Sequence, residues 1–160
     1  MSRPALPPQD ARGTYALFFR LEKPLTLIVG RFGQVTLPAG WLVYVGSALG
    51  PRGLRARLRR HLAASKRPHW HIDALTLIHP PDHWLALADG RRHECNWAKM
   101  LAGHPRAMIP APGFGSSDCR RGCPAHLIAF PADVDPRALL PAPPARLCYQ
   151  ASNPHPNSYA

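Results

Sequence analysis

Five residues have the types and order that hydrolytic chemistry on a phosphate would need: Tyr15, Tyr44, Arg57, His61 and Glu94. Two phenols brought to one sheet end could orient or deprotonate a water, although half-buried tyrosines are also ordinary strand residues. Arg57 could stabilise the negative charge that develops on a phosphate under attack, or it could be one cation of a solvated basic face. Glu94 is one of nine acidic residues. A lone carboxylate facing a basic cleft is the simplest ligand for a magnesium ion that keeps most of its waters. At the start of a helix it equally suits the helix dipole.

Three of these residues lie in the stretch from Tyr44 to His61, YVGSALGPRGLRARLRRH. It reads as an apolar strand, a Gly46-Ser47 turn and a basic helix. Gly46 has no Cβ to obstruct an approaching phosphate. Ser47 sits beside it and lacks the G-x-S-x-G elbow of a nucleophile. Leu54, Leu58 and Leu62 repeat at the i, i+4 spacing of a helix stripe that packs on a core. Arg57 and His61 fall on one flank of that stripe and Arg55 and Arg59 on the other, with Arg60 directed to solvent. With Gly46, Ser47, Lys66, Arg67 and His71, the cations Arg55, Arg59 and Arg60 are the expected phosphate contacts.

A second constellation is Cys119-x-x-x-Cys123-x-x-His126, spaced like three ligands of a zinc site, with Cys95 or His71 as the fourth. Asp118 could cap a turn there or touch the site. His69, His71 and Asp73 surround Trp70 and read either as a supporting cluster or as phosphate contacts.

The elements that must position these groups follow from the pattern. At 160 residues the chain fits one domain. A net charge of +11 points to a polyanionic partner, and its concentration between Arg52 and Arg67 argues against mere codon bias. Residues 1–12 are Pro-rich and lack the apolar region of a secretory signal. No run approaches the roughly 20 apolar residues of a membrane helix, so the expectation is a soluble, cytoplasmic protein without membrane contact. In that setting four cysteines read as thiols or metal ligands. Strands are expected at Gly13 to Leu21, Leu25 to Val29, Gln34 to Leu37, Trp41 to Val45, Trp84 to Ala88 and His126 to Phe130. Helices are expected at about Gly53 to Ala64 and Glu94 to Leu101, while His69 to Leu75 fits helix or strand. Residues 13–130 are thus the domain, and 131–160 a Pro/Ala-rich tail with little fixed structure.

Taken together, the motifs resemble the GIY-YIG nuclease superfamily. Gly13-Thr14-Tyr15 stands in the place of its first motif and Tyr44-Val45-Gly46 in that of its second. Arg57 and His61 match the arginine and histidine of the following helix, and Glu94 the metal-binding glutamate of a later one. His69 to Asp73 (HWHID), GFGSSDC and CPAHL resemble a small subfamily found alone or fused to endonuclease III-like DNA glycosylases. The resemblance implies an α/β (α+β) fold with a central three-stranded antiparallel sheet flanked by helices, here with an extra hairpin between Tyr15 and Tyr44. It implies a Mg²⁺- or Mn²⁺-dependent endonuclease that cuts DNA in repair or processing, functionally linked to a DNA glycosylase. Tyr15 would be the general base or water-orienting group, Tyr44 its partner, Arg57 the phosphate clamp, His61 its assistant and Glu94 the metal ligand. The alternative is a non-catalytic nucleic-acid-binding module on the same fold.

Overall fold

Nine residues, Gly13–Leu21, form β1, the middle strand of the molecule. Its run GTYALFFRL is almost continuously apolar because both of its faces are covered. Tyr15, Leu17, Phe19 and Leu21 enter one core and Ala16 and Phe18 the other, the two-residue alternation of a pleated strand. The computed structural model describes residues 5–116, 119–140 and 145–152.

A hairpin of β2 (Leu25–Val29) and β3 (Gly33–Leu37) leaves the sheet and returns, forming a separate two-stranded ribbon. This is the extra hairpin expected from the long gap between the tyrosines. β4 (Gly40–Ala48) then pairs antiparallel with β1 along its full length. Helix α1 (Gly53–Leu62) follows, then a single turn, α2 (Asp73–Thr76), then β5 (His83–Leu87) on the other side of β1. Helix α3 (Glu94–Ala102) and strand β6 (Leu127–Phe130) follow, and β6 pairs antiparallel with β4.

The helices cover opposite faces of the sheet. From α1, Leu54 and Leu58 are fully buried against the Tyr15 face. From α3, Cys95, Trp97, Ala98 and Leu101 are buried against the Phe18 face. Each fully buried leucine contributes roughly 2 kcal/mol of transfer free energy, so the leucine stripe fixes the rotation of α1 and with it the direction of every arginine on that helix. The fold is mixed α and β around a central antiparallel sheet, as expected.

Three local expectations change. The sheet has five strands rather than three, in the order β6-β4-β1-β5-β7, where β7 is Cys148–Ser152. Gly46 and Ser47 are not a turn: they continue β4 opposite Tyr15 and Thr14, and the chain reverses at Gly50, whose carbonyl accepts the Gly53 amide. Between His69 and Leu75 the structure chooses a short helix.

Among the described residues beyond Phe130 the chain is largely irregular, with short 3-10 turns at Pro136–Ala138 and Ala145–Leu147. Within that tail, however, β7 (Cys148–Ser152) pairs with β5 and becomes a sheet edge. Its five residues, CYQAS, are free of proline, a local exception hidden by the Pro/Ala-rich average of the tail. Among the described residues no helix is long and apolar enough to cross a membrane.

Candidate active site

At the end of the sheet where Tyr15 lies opposite Gly46, a cleft of about 530 Å³ opens. Its walls come from β1 and β4 (Tyr15, Tyr44, Gly46, Ser47), α1 (Arg57), α3 (Glu94, Cys95) and the loop that precedes β6 (Gly115, Cys119, His126). Tyr15, Tyr44, Arg57 and Glu94 therefore meet on one surface although 79 positions separate the first from the last. His61 stands just behind it.

Register explains the first part of this arrangement. A Cβ at position 46 would collide with the Tyr15 hydroxyl, so glycine there makes room for the phenol to lie across the neighbouring strand. The Tyr15 hydroxyl is 2.7 Å from His61 Nε2, in a buried contact between sheet and helix. Tyr15, Tyr44 and Trp70 all lie within 6.5 Å of one another or of the His61 ring, centroid to centroid. Tyr15 exposes none of its surface and Tyr44 only 8 %. Tyr15 is thus a closed floor, and Tyr44 is the phenol that solvent meets first.

Electrostatics follow from that burial. Desolvation pushes both phenols above their ordinary range, with the Tyr44 neighbour adding to the effect on Tyr15 and Glu94 to that on Tyr44, while the Arg57 guanidinium opposes it. Both hydroxyls therefore keep their protons at neutral pH. Burial pushes His61 down to about 3, aided by the positive charge of Lys66, Arg57 and Arg60 and opposed by Asp73. His61 is neutral and its Nε2 can accept a hydrogen bond from the Tyr15 hydroxyl. Of the two roles expected for Tyr15, orienting a water is the one its environment suits.

Glu94 is held by a different device. Thr14 Oγ1 donates to the Arg91 carbonyl at 3.1 Å and accepts the His93 amide at 2.8 Å. It pins the segment that launches α3 and so aims the first residue of that helix into the cleft. Around the carboxylate stand Ser47 Oγ (3.4 Å), His126 Nδ1 (3.7 Å) and Arg92 Nη1 (3.9 Å). These contacts are long, which leaves the carboxylate lone pairs open to a cation, and an oxygen donor of this kind is what a hard divalent ion selects.

The basic groups divide into two sets. The Arg57 guanidinium lies 4.3 Å over the Trp70 ring, where stacking orients it. Arg55 and Arg59 are exposed and, with Arg52, line a hollow on α1. A neighbouring hollow, bordered by Arg52, Arg57, Arg60 and Trp70, connects this basic surface with the cleft.

Arg60, expected in solvent, instead pairs with buried Asp73 at 2.8 Å, donates to the Arg67 carbonyl and lies 4.9 Å over the Trp70 ring. Lys66 donates to the Arg60 and His61 carbonyls at the end of α1, and burial lowers it to about 8. Arg67 is exposed. His71 accepts the Gly115 amide at 3.1 Å and packs between Phe32 and Phe114, away from the cleft lining. Asp73 accepts the amides of His69 and Trp70 and is structural.

Trp70, Arg92, Arg120 and Arg121 also line the cleft. Only Trp70 had a signal in the sequence, its position between two histidines. The three arginines fall in loops, where no periodicity announces a direction.

Cys95, Cys119, Cys123 and His126 converge beside Glu94, with one ligand atom from each lying within 4.8 Å of all the others, and the four could hold a metal ion. Cys95 is thus the fourth member and His71 is not. Asp118 lies outside the described residues. Neither the curated proteins nor the solved structures contain a match to this chain. A protein-family match covers residues 14–142, which span the whole cleft, and on it the chain belongs to the family described as domain of unknown function DUF123.

Proposed function

We propose that the protein is a divalent-metal-dependent endonuclease of the GIY-YIG kind that hydrolyses phosphodiester bonds in DNA. The observation that carries this reading is the convergence of Tyr15, Tyr44, Arg57 and Glu94, from four different elements, on one cleft joined to a basic surface. A single observation of this kind outweighs any of the short motifs, because chance matches in sequence have no reason to share a cavity.

In the mechanism, Arg57 holds the scissile phosphate. The Trp70 ring, 4.3 Å from the Arg57 guanidinium, restricts that side chain at the cleft wall, so little side-chain entropy is lost on binding. The Tyr15 and Tyr44 hydroxyls, both protonated, orient the attacking water, and donation of the Tyr15 hydroxyl to neutral His61 Nε2 turns its oxygen lone pairs toward that water. Glu94 would hold Mg²⁺ or Mn²⁺, which supplies positive charge for the oxygen that leaves. Arg92, Arg120 and Arg121 add cations at the rim, while Arg55 and Arg59 track the flanking backbone.

Work on structured DNA in repair or processing, in the cytoplasm and in step with a DNA glycosylase, suits the resemblance described above. A second reading, a nucleic-acid-binding module without turnover, is favoured by two features: the fully buried Tyr15, and the two cationic or ionisable neighbours of Glu94.

One experiment decides between them. Labelled single-stranded, duplex, flap, nicked and branched DNAs are incubated with Mg²⁺ or Mn²⁺ and wild type, Tyr15→Phe, Arg57→Ala or Glu94→Ala protein. Metal-dependent cutting that all three substitutions suppress supports the nuclease. Binding without cutting by wild type, on every substrate, leaves the binding module.

A further inference from the structure

The cysteine-histidine quartet beside the cleft is used by no step above. Its members come from three separated places: Cys95 in the first turn of α3, Cys119 and Cys123 in the loop, and His126 at the entry to β6. We propose that Cys95, Cys119, Cys123 and His126 bind one Zn²⁺ tetrahedrally, as a clamp that fastens the Gly/Pro loop to α3.

Four observations support it. The spacing fits: Zn–S bonds of about 2.3 Å put the sulfurs of a tetrahedral site about 3.8 Å apart, and here Cys95 Sγ and Cys119 Sγ are 3.5 Å apart with all four ligand atoms inside 4.8 Å. All four cysteines of the described chain are free thiols. His126 is 3 % exposed, yet among the described residues neither ring nitrogen has a hydrogen-bond partner. An imidazole buried without partners is costly unless something absent from the protein atoms binds it. Its Nδ1 is nearest to Glu94, and a metal-bound histidine commonly turns its other nitrogen to a carboxylate.

Three thiols and an imidazole select zinc rather than a hard oxygen-seeking cation. Binding releases the thiol protons to solvent and needs no redox partner.

The clamp has a visible load. The loop it fastens carries Gly115, where a Cβ would collide with the Tyr44 ring, and Arg120 and Arg121, which line the cleft. Its other end is the residue after Glu94. This role is independent of whether the cleft cuts DNA.

The full chain is purified under reducing conditions without chelator, and its metal is measured by inductively coupled plasma mass spectrometry. The demetallated, reduced protein is then titrated with Co²⁺. The expected result is about one zinc per chain and the visible bands of a tetrahedral thiolate-cobalt centre. Both are lost in a Cys119→Ser, Cys123→Ser double variant, and zinc removal speeds amide exchange in residues 113–126 more than in β1 and β4. If the double variant fails to fold, the wild-type titration decides. A zinc-free chain that gives no thiolate-cobalt bands when reduced would overturn the proposal, as would a Cys95–Cys119 disulfide persisting in zinc-replete protein.

Discussion

His61 makes the stability of this protein acid-sensitive in a definable window. In the folded state it is 1 % exposed, receives the Tyr15 hydroxyl and feels the positive charge of Lys66, Arg57 and Arg60 against the negative charge of Asp73. Its folded pKa is about 3, against an ordinary value of 6.5. Because the folded value is the lower one, the unfolded chain binds the proton more readily, and stability falls as pH drops from 6.5 towards 3. One pH unit in that window is worth about 1.4 kcal/mol, so acidification from pH 7.5 to pH 5 should remove about 2 kcal/mol through this residue alone. That is a large share of a typical domain's total stability of roughly 5–15 kcal/mol.

The assay is urea unfolding followed by circular dichroism at pH 7.5, 6.5, 5.5 and 5.0, on wild type and His61→Gln. Glutamine keeps a polar group near Tyr15 but cannot titrate. Other titrating groups act on both proteins, so the difference between the two curves isolates His61. The variant should start less stable at pH 7.5, by about 1–3 kcal/mol for the disturbed hydrogen bond, and the gap should close by about 2 kcal/mol at pH 5. Parallel curves, with a gap unchanged between pH 7.5 and 5.0, would refute the reasoning that His61 is buried neutral.

Glu94→Gln should lower metal-dependent cleavage by at least about 100-fold while duplex affinity changes less than about threefold, read by cleavage and by fluorescence anisotropy. Gly46→Ala should destabilise the fold by about 1–3 kcal/mol, because the new methyl meets the Tyr15 ring, and chemical denaturation measures it; a shift within error would mean that the ring can move aside. An Arg55→Ala, Arg59→Ala pair should reduce the slope of log affinity against log salt by about 2 without altering cleavage of bound substrate at saturation. Thr14→Val removes the hydroxyl that pins residues 91–93 and should cut activity through Glu94, leaving Tyr15 and Arg57 in place; full activity in that variant would show that α3 is aimed by other contacts.

The sequence by itself determined much of the framework. Apolar or alternating β-prone runs bounded by turn residues marked β1 to β6, and the Leu54–Leu58 stripe gave the rotation of α1 and put Arg57 beside His61. These are local properties, legible from period and composition. Direction beyond one element was not legible. Nothing in the order of residues said that Arg60 would turn from solvent to Asp73, because the partner comes from another helix. Nor did composition reveal that residues 148–152 would extend the sheet, since strand pairing is satisfied by backbone groups that every residue carries. Gly46 was marked as a site of close approach, but only the register of β1 against β4 showed that the approaching group is Tyr15. The union of Cys95 with Cys119, Cys123 and His126 was likewise decided by packing: the face of α3 that carries Cys95 is fixed by Trp97, Ala98 and Leu101 in the core, and that burial brings its thiol to a loop more than twenty residues away.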